Sequence, residues 1–279
     1  MKRIELLGPS GTGKTTLFLQ ICEFAQENRP FLTVREAFVK AALKENITIS
    51  KPWLLLLQKI MKYGFFKSKV YGISKHIFQK YYSRQNDTHD LHQNYYVSFN
   101  ILYQVYKKDL NPSHVMKRLK IFMSKVEEID FLERNLPNNQ MVLFDEGVLH
   151  HHFGVTTYGF DTFTEQELNS DKVLQPGGII YCELSEEGIF QRAMQRKLNG
   201  VKTYSQGHLE GEDLRERIRI TIKSNEQKIA SFKKRNIPVL HINTEKPIEY
   251  NISKIVRFTR NLNKDRRPTK RLKQASVSV

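Results

Sequence analysis

Residues Gly8-Pro9-Ser10-Gly11-Thr12-Gly13-Lys14-Thr15 fit the pattern G-x-x-x-x-G-K-[ST] at every fixed position. They follow a run, Lys2 to Leu7, that alternates and then turns apolar, and they lead into Leu17, Phe18, Ile21, Cys22 and Ala25 at helical spacing. Strand, glycine turn and helix in that order constrain the fold far more than the string alone. Glycines let the backbone curl so that successive N–H groups point inward, and the helix N-terminus adds partial positive charge, so the turn suits a polyphosphate. The expected ligand is ATP (or GTP) with Mg²⁺. The backbone of Gly8, Pro9, Ser10, Gly11, Thr12, Gly13, Lys14, Thr15 and Thr16 would surround its phosphates. Lys14 would reach the β- and γ-phosphates, and Thr15 would place its hydroxyl on the metal.

Four further apolar runs bounded by turn residues read as strands, at 31–35, 140–144, 178–184 and 237–242. Helical patterns lie between them, which predicts an α/β fold with a parallel sheet and crossover helices. Met141-Val142-Leu143-Phe144-Asp145-Glu146 is an apolar strand ending in two acids, Walker B in form beside a Walker A turn. Asp145 is therefore the second expected Mg²⁺ residue, and Glu146 either positions a water or organises the site.

Helix starts are legible in capping chemistry. Thr164 with Glu167 makes a capping box, Ser185 precedes Glu186 and Glu187, and Thr244 precedes Pro247 and the stripe Ile248, Ile252, Ile255, Val256. A long charged helix is expected over 212–235 with Leu214, Ile218, Ile222 and Ile229 inward. The stretch 40–137 between the second and third strands exceeds a simple crossover, so it must hold helices of its own. Tyr95, Phe99, Leu102, Tyr103 and Tyr106 have helical spacing, as do Val115, Leu119, Phe122, Val126 and Ile129.

Arg192 and Arg196 lie four apart on a predicted helix and share a face. They either clamp one triphosphate through bidentate guanidinium contacts or form an exposed basic face with Lys197. Glu36, just past the second strand, can take a proton from an alcohol that attacks the γ-phosphorus, or can serve as a first-turn glutamate of the next helix.

The order of these parts resembles the nucleoside and nucleotide kinase branch of P-loop proteins, in particular the deoxynucleoside and thymidylate kinases. The likeness runs from Met1 to about Asn261. It implies a three-layer fold with a five-stranded parallel sheet in the order 2-3-1-4-5 and a large helical insertion between strands 2 and 3. It also implies a lid at about 188–212 carrying Arg192 and Arg196, and Glu36 as the base that accepts the substrate hydroxyl's proton. The pattern departs from that family in two places. Asp145-Glu146-Gly147 lacks the arginine usual after strand three, and Ala37 stands where a proline commonly follows the acid. The catalytic set expected is Lys14, Glu36, Asp145, Arg192 and Arg196, in a kinase acting on a nucleoside, nucleotide or other small molecule. A P-loop ATPase, or a polynucleotide or glycan kinase, is the alternative.

Charge keeps that alternative open. The chain carries 45 Lys+Arg against 29 Asp+Glu. Between Lys51 and Arg84 there are eight basic residues, no acidic one, and Trp53, Tyr63, Phe65, Phe66, Tyr71, Phe78, Tyr81 and Tyr82. Such a segment is either a set of core-packed helices with lysines outward, or a surface for nucleic acid, an anionic glycan or a membrane. A second basic cluster opens the tail 263–279, which has the composition of a solvated extension. Residues 1–262 are expected to form one domain, and a homodimer is a further partner to consider. The longest apolar run, Trp53 to Leu57, is far short of the ~20 residues of a membrane-spanning helix. With the first strand starting at Met1, no leader is expected ahead of it. Cys22 and Cys182 read as buried small hydrophobes, which points to a reducing, cytoplasmic setting. The adjacent His150, His151 and His152 cannot converge on one ion from one face of a helix or strand, although one of them could contact substrate.

Overall fold

The computed structural model describes residues 1–24, 29–44, 95–106, 112–151, 163–200 and 209–264. The basic segment 51–84, residues 201–208 of the expected lid, and the tail from 265 lie outside the described residues. In chain order, β1 (Lys2–Leu7) is followed by α1 (Lys14–Phe24), and β2 (Leu32–Thr33) by α2 (Val34–Lys44). Then come α3 (Tyr96–Tyr106) and α4 (Pro112–Asn135), β3 (Met141–Phe144), and the short helices α5 (Val148–His151) and α6 (Glu165–Ser170). A 3-10 turn (Lys172–Leu174) leads to β4 (Gly178–Glu183), α7 (Glu186–Leu198), α8 (Gly211–Lys234), β5 (Val239–Asn243) and α9 (Ile248–Lys264).

The strands form one parallel sheet in the order β2-β3-β1-β4-β5. β1 lies at its centre, pairing Glu5 with Phe144 of β3 and Leu7 with Tyr181 of β4. Side chains alternate between two cores, as the pleat requires. Ile4, Leu6, Met141, Leu143, Ile180 and Cys182 pack with Leu17, Phe18 and Ile21 of α1 and Ile252 and Ile255 of α9. Leu7, Val142, Phe144, Ile179 and Tyr181 face the other way, onto α2, α3, α4 and α8. Three layers result, with both faces of the sheet covered.

Helix boundaries follow their caps. Thr164 and Glu167 make the expected capping box, and the Ser185 hydroxyl accepts from the Gly188 N–H. Leu214, Ile218 and Ile229 of α8 are buried, as are Phe122, Val126 and Ile129 of α4. Two expectations change. The second strand is two residues long, because Thr33 caps α2 and Val34 already lies inside that helix. Tyr103 is exposed, whereas Tyr95 and Leu102 of the same stripe are buried. Asp171 ties α3 to the entry of β4: the Ser98 N–H donates to it at 2.7 Å, and the N–H groups of Val173 and Leu174 at 2.9 and 3.3 Å. Among the described residues no helix is long and apolar enough to cross a membrane.

Candidate functional site

The turn between β1 and α1 is compact and sharply curled. Gly8, Gly11 and Gly13 have φ of 141°, 102° and 87°, values that L side chains rarely adopt. A Cβ at Gly8 would also lie 2.4 Å from the carbonyl oxygen of Cys182, so the loop sits directly against the end of β4. Thr12 closes the turn, its N–H and hydroxyl both donating to the Pro9 carbonyl, at 3.3 and 2.9 Å.

Lys14 opens α1 and folds back over the turn. Its Nζ donates to the carbonyls of Gly8 at 2.7 Å and Pro9 at 2.9 Å. An ammonium has three N–H groups, so a third is left for a ligand in the cradle. Burial pushes the Lys14 pKa down to about 8, with Cys182 and Glu146 pulling it up and Arg196 pushing it down. Behind the lysine the Cys182 thiol is pushed up to about 12, first by burial. Thr15 and Thr16 are exposed at the start of α1, where the first N–H groups of any helix lack intrahelical partners.

The carboxyl ends of β3 and β4 meet this turn. Asp145 and Glu146 follow β3, and among the described residues neither makes a hydrogen bond or ion pair. Parallel pairing of β3 with β1 puts both acids at the same sheet edge as the glycine turn. The chain has a three-layer α/β fold with five parallel strands and a turn of G-x-x-x-x-G-K-[ST] sequence between β1 and α1.

The solved structures of deoxyadenosine kinase from M. mycoides align over 93% of this chain. The form with dCMP and a flexible dCDP matches at 15% identity, 99% of its own length and TM-score 0.43; the dATP form matches at 12%, 100% and 0.42. The dCTP form matches at 14%, 99% and 0.40. No family model and no curated protein matches the sequence.

Arg192 reaches from α7 over the loop. Its guanidinium lies 3.5 Å from the Gly11 carbonyl and 3.5 Å from the hydroxyl and carbonyl of Thr244, which follows β5. A Cβ on Gly13 would meet its Nη1 at 2.9 Å. Arg196, one turn on, is near enough to depress the Lys14 pKa. Arg192 thus faces the glycine turn.

Glu36 stands at the same sheet edge, in the first turn of α2. Its carboxylate accepts from the Thr33 N–H and the Thr33 hydroxyl, both at 2.9 Å, and pairs with Arg29. The Glu36 N–H in turn faces the Thr33 hydroxyl at 3.4 Å, which completes a capping box. The helix-cap reading of Glu36 is the one these contacts show.

Three charged residues escaped the sequence reading. Arg3 and Glu5 alternate with Ile4 and Leu6, a pattern that predicts one solvated face, yet both are buried because β1 is central. The Arg3 Nε lies 2.8 Å from Glu5 Oε1, and Lys228 of α8 is buried beside them. Burial raises the Glu5 pKa against the pull of Arg3, and pushes the Lys228 pKa down to about 8 against the pull of Glu5. A groove on the surface of α9, lined by Ile252, Val256, Arg257 and Arg260, includes none of the loop residues.

Mg²⁺ is the metal expected from the sequence. The donors fit it: an exposed threonine hydroxyl at the head of α1, and two strand-end carboxylates with no competing partner among the described residues. Among the described residues no three His, Cys, Asp or Glu side chains gather as a metal cage.

Proposed function

We propose that the chain transfers the γ-phosphate of ATP to a hydroxyl or phosphate acceptor, a nucleoside, nucleotide or other small molecule, at the carboxyl edge of the sheet. The observation that carries this reading is the Lys14 ammonium, held by the Gly8 and Pro9 carbonyls across a turn of three positive-φ glycines. A buried cation with a spare N–H, held by two backbone carbonyls at the head of a helix, has polyphosphate as its natural counter-ion.

In this reading the backbone of residues 8–16 and Lys14 grip the donor phosphates. Thr15 and Asp145 would hold Mg²⁺, which neutralises charge on the β- and γ-phosphate oxygens. Arg192 and Arg196 stabilise charge that develops on the phosphoryl group in transit, since guanidinium forks match its oxygens. Glu36 takes the proton of an acceptor hydroxyl, and Arg29 keeps its carboxylate oriented. GTP in place of ATP would use the same cradle.

One observation favours a second reading. Glu146 is exposed and close enough to raise the Lys14 pKa, which supports a role in orienting a water for hydrolysis. Acceptor dependence separates the two. Labelled ATP incubated with pooled nucleosides, nucleotides, oligonucleotides and phosphosugars should transfer label to one class, and Lys14→Ala should abolish that transfer. Release of inorganic phosphate at the same rate with and without every acceptor would establish the hydrolase instead.

A further inference from the structure

The residues after Asp145 and Glu146 are fixed in an unusual way. Leu149, in the single turn α5, is fully buried, and both its backbone groups are held by charged side chains from elsewhere in the chain. Its N–H donates to Glu5 Oε2 at 2.9 Å, and its carbonyl accepts from Lys228 Nζ at 2.8 Å. Glu5 comes from the central strand and Lys228 from the helix that crosses to β5.

The same carboxylate dictates Gly147. A Cβ there would lie 2.1 Å from Glu5 Oε2 and 2.2 Å from its Cδ. A surface glutamate would swing aside, but this one is pinned by Arg3 at 2.8 Å and by the Leu149 N–H. The turn 145–147 is therefore hung between β3 and a clamped helical turn, with no side chain at its third residue.

Stability does not explain the arrangement. Buried ions lose hydration that their mutual attraction rarely exceeds, and apolar residues of similar volume usually serve as well or better. A cluster of Arg3, Glu5 and Lys228, each at most 6% exposed, is better explained by the geometry it imposes.

We propose that Glu5 and Lys228 are positioning residues that fix the Asp145–Glu146 turn by clamping the Leu149 backbone, and so set how Asp145 meets Mg²⁺ at the donor phosphates. This rests on the phosphoryl-transfer reading above, with Asp145 as the metal residue. The clamp acts on the β3 side of the cradle only. The glycine turn and Lys14 keep their own contacts to Gly8, Pro9 and Cys182 without it.

The test measures two quantities in the full chain. Lys228→Met removes the donor to the Leu149 carbonyl with a side chain of similar bulk, while Glu5→Leu removes the acceptor of the Leu149 N–H. Each should raise the Mg²⁺ concentration for half-maximal turnover about tenfold or more, the usual effect of losing a group that orients a metal ligand. The affinity for ATP in the absence of Mg²⁺, read by calorimetry, should stay within about twofold of the parent. Equal loss of both quantities, or change in neither, would overturn the proposal.

If neither variant folds, amide exchange of the parent chain decides. The Leu149 N–H should exchange as slowly as the amides of β1, and fast exchange there sinks the clamp. A parent chain whose turnover is indifferent to Mg²⁺ would refute the transfer reading instead, and leave the clamp to be judged by the exchange of Leu149.

Discussion

The Nζ of Lys14 lies 2.7 Å from the carbonyl oxygen of Gly8, six residues earlier in the chain. The first residue of α1 thereby spans the mouth of the turn that precedes it, and its charge sits in a largely dry place with a pKa near 8. Phosphate oxygens favour the charged form and raise that value on binding. Between the free and bound pKa the complex holds more protons than the free protein, so binding takes up a proton there. ATP affinity should be level below about pH 7 and fall above pH 8, by at most about tenfold per pH unit. Calorimetry at pH 8.5 in two buffers of different ionisation heat should register the uptake, and Lys14→Ala should abolish it.

Gly8→Ala should damage the fold more than the other glycine substitutions in open loops. It combines φ of 141° with a Cβ 2.4 Å from a backbone oxygen of β4, and neither can relax by moving a side chain. A cost of about 3 kcal/mol or more is expected. That corresponds to a Tm lowered by roughly 6 °C or more for a chain of this size. Gly200→Ala, with φ of 72° and open space around it, is the comparison and should cost about 1 kcal/mol.

Glu36 carries two duties that substitution can separate. Glu36→Gln still accepts from the Thr33 N–H but cannot take a proton, so turnover should fall by about 10²–10⁴-fold while Tm changes little. Thr33→Ala removes the cap and should cost about 1 kcal/mol of stability with turnover within a few-fold of the parent. Matched kinetic and thermal measurements on the pair would refute the base role if Glu36→Gln lost only stability.

Arg192 is expected to act on the transition state rather than on nucleotide capture, since its contacts to Gly11 and Thr244 are long, at 3.5 Å, and easily exchanged. Arg192→Lys should reduce kcat by about tenfold or more with the KM for ATP nearly unchanged, because an ammonium cannot reproduce the bidentate fork. A rise in KM at constant kcat would assign Arg192 to ground-state binding.

The parts legible in the sequence are those whose chemistry is local. The glycine turn, the strand-end Asp145, and the Ser185 and Thr164 caps each need only neighbours within a few residues, so spacing reveals them. The alternation of elements gives a parallel sheet, and its strand order comes from the family resemblance alone. What stayed hidden depends on distant partners. Arg3 and Glu5 look like a wet face until the 3-10 turn, α5 and α8 cover it, and Lys228 is over two hundred residues from the Glu5 it accompanies. The short second strand was hidden for another reason. Thr33-x-x-Glu36 is itself a capping box, and the apolar residues around it read as β only when that signal is passed over.

The seating of Cys182 bears on how the protein can be handled and controlled. Its sulfur is fully enclosed behind the glycine turn, with the thiolate form suppressed by burial, and the other cysteine, Cys22, is buried in α1. Only the thiolate is a nucleophile, so neither sulfur offers alkylating reagents or peroxide a foothold while the chain is folded. Thiol modification should therefore report unfolding rather than cause inactivation, which makes it a built-in probe of the integrity of the phosphate cradle.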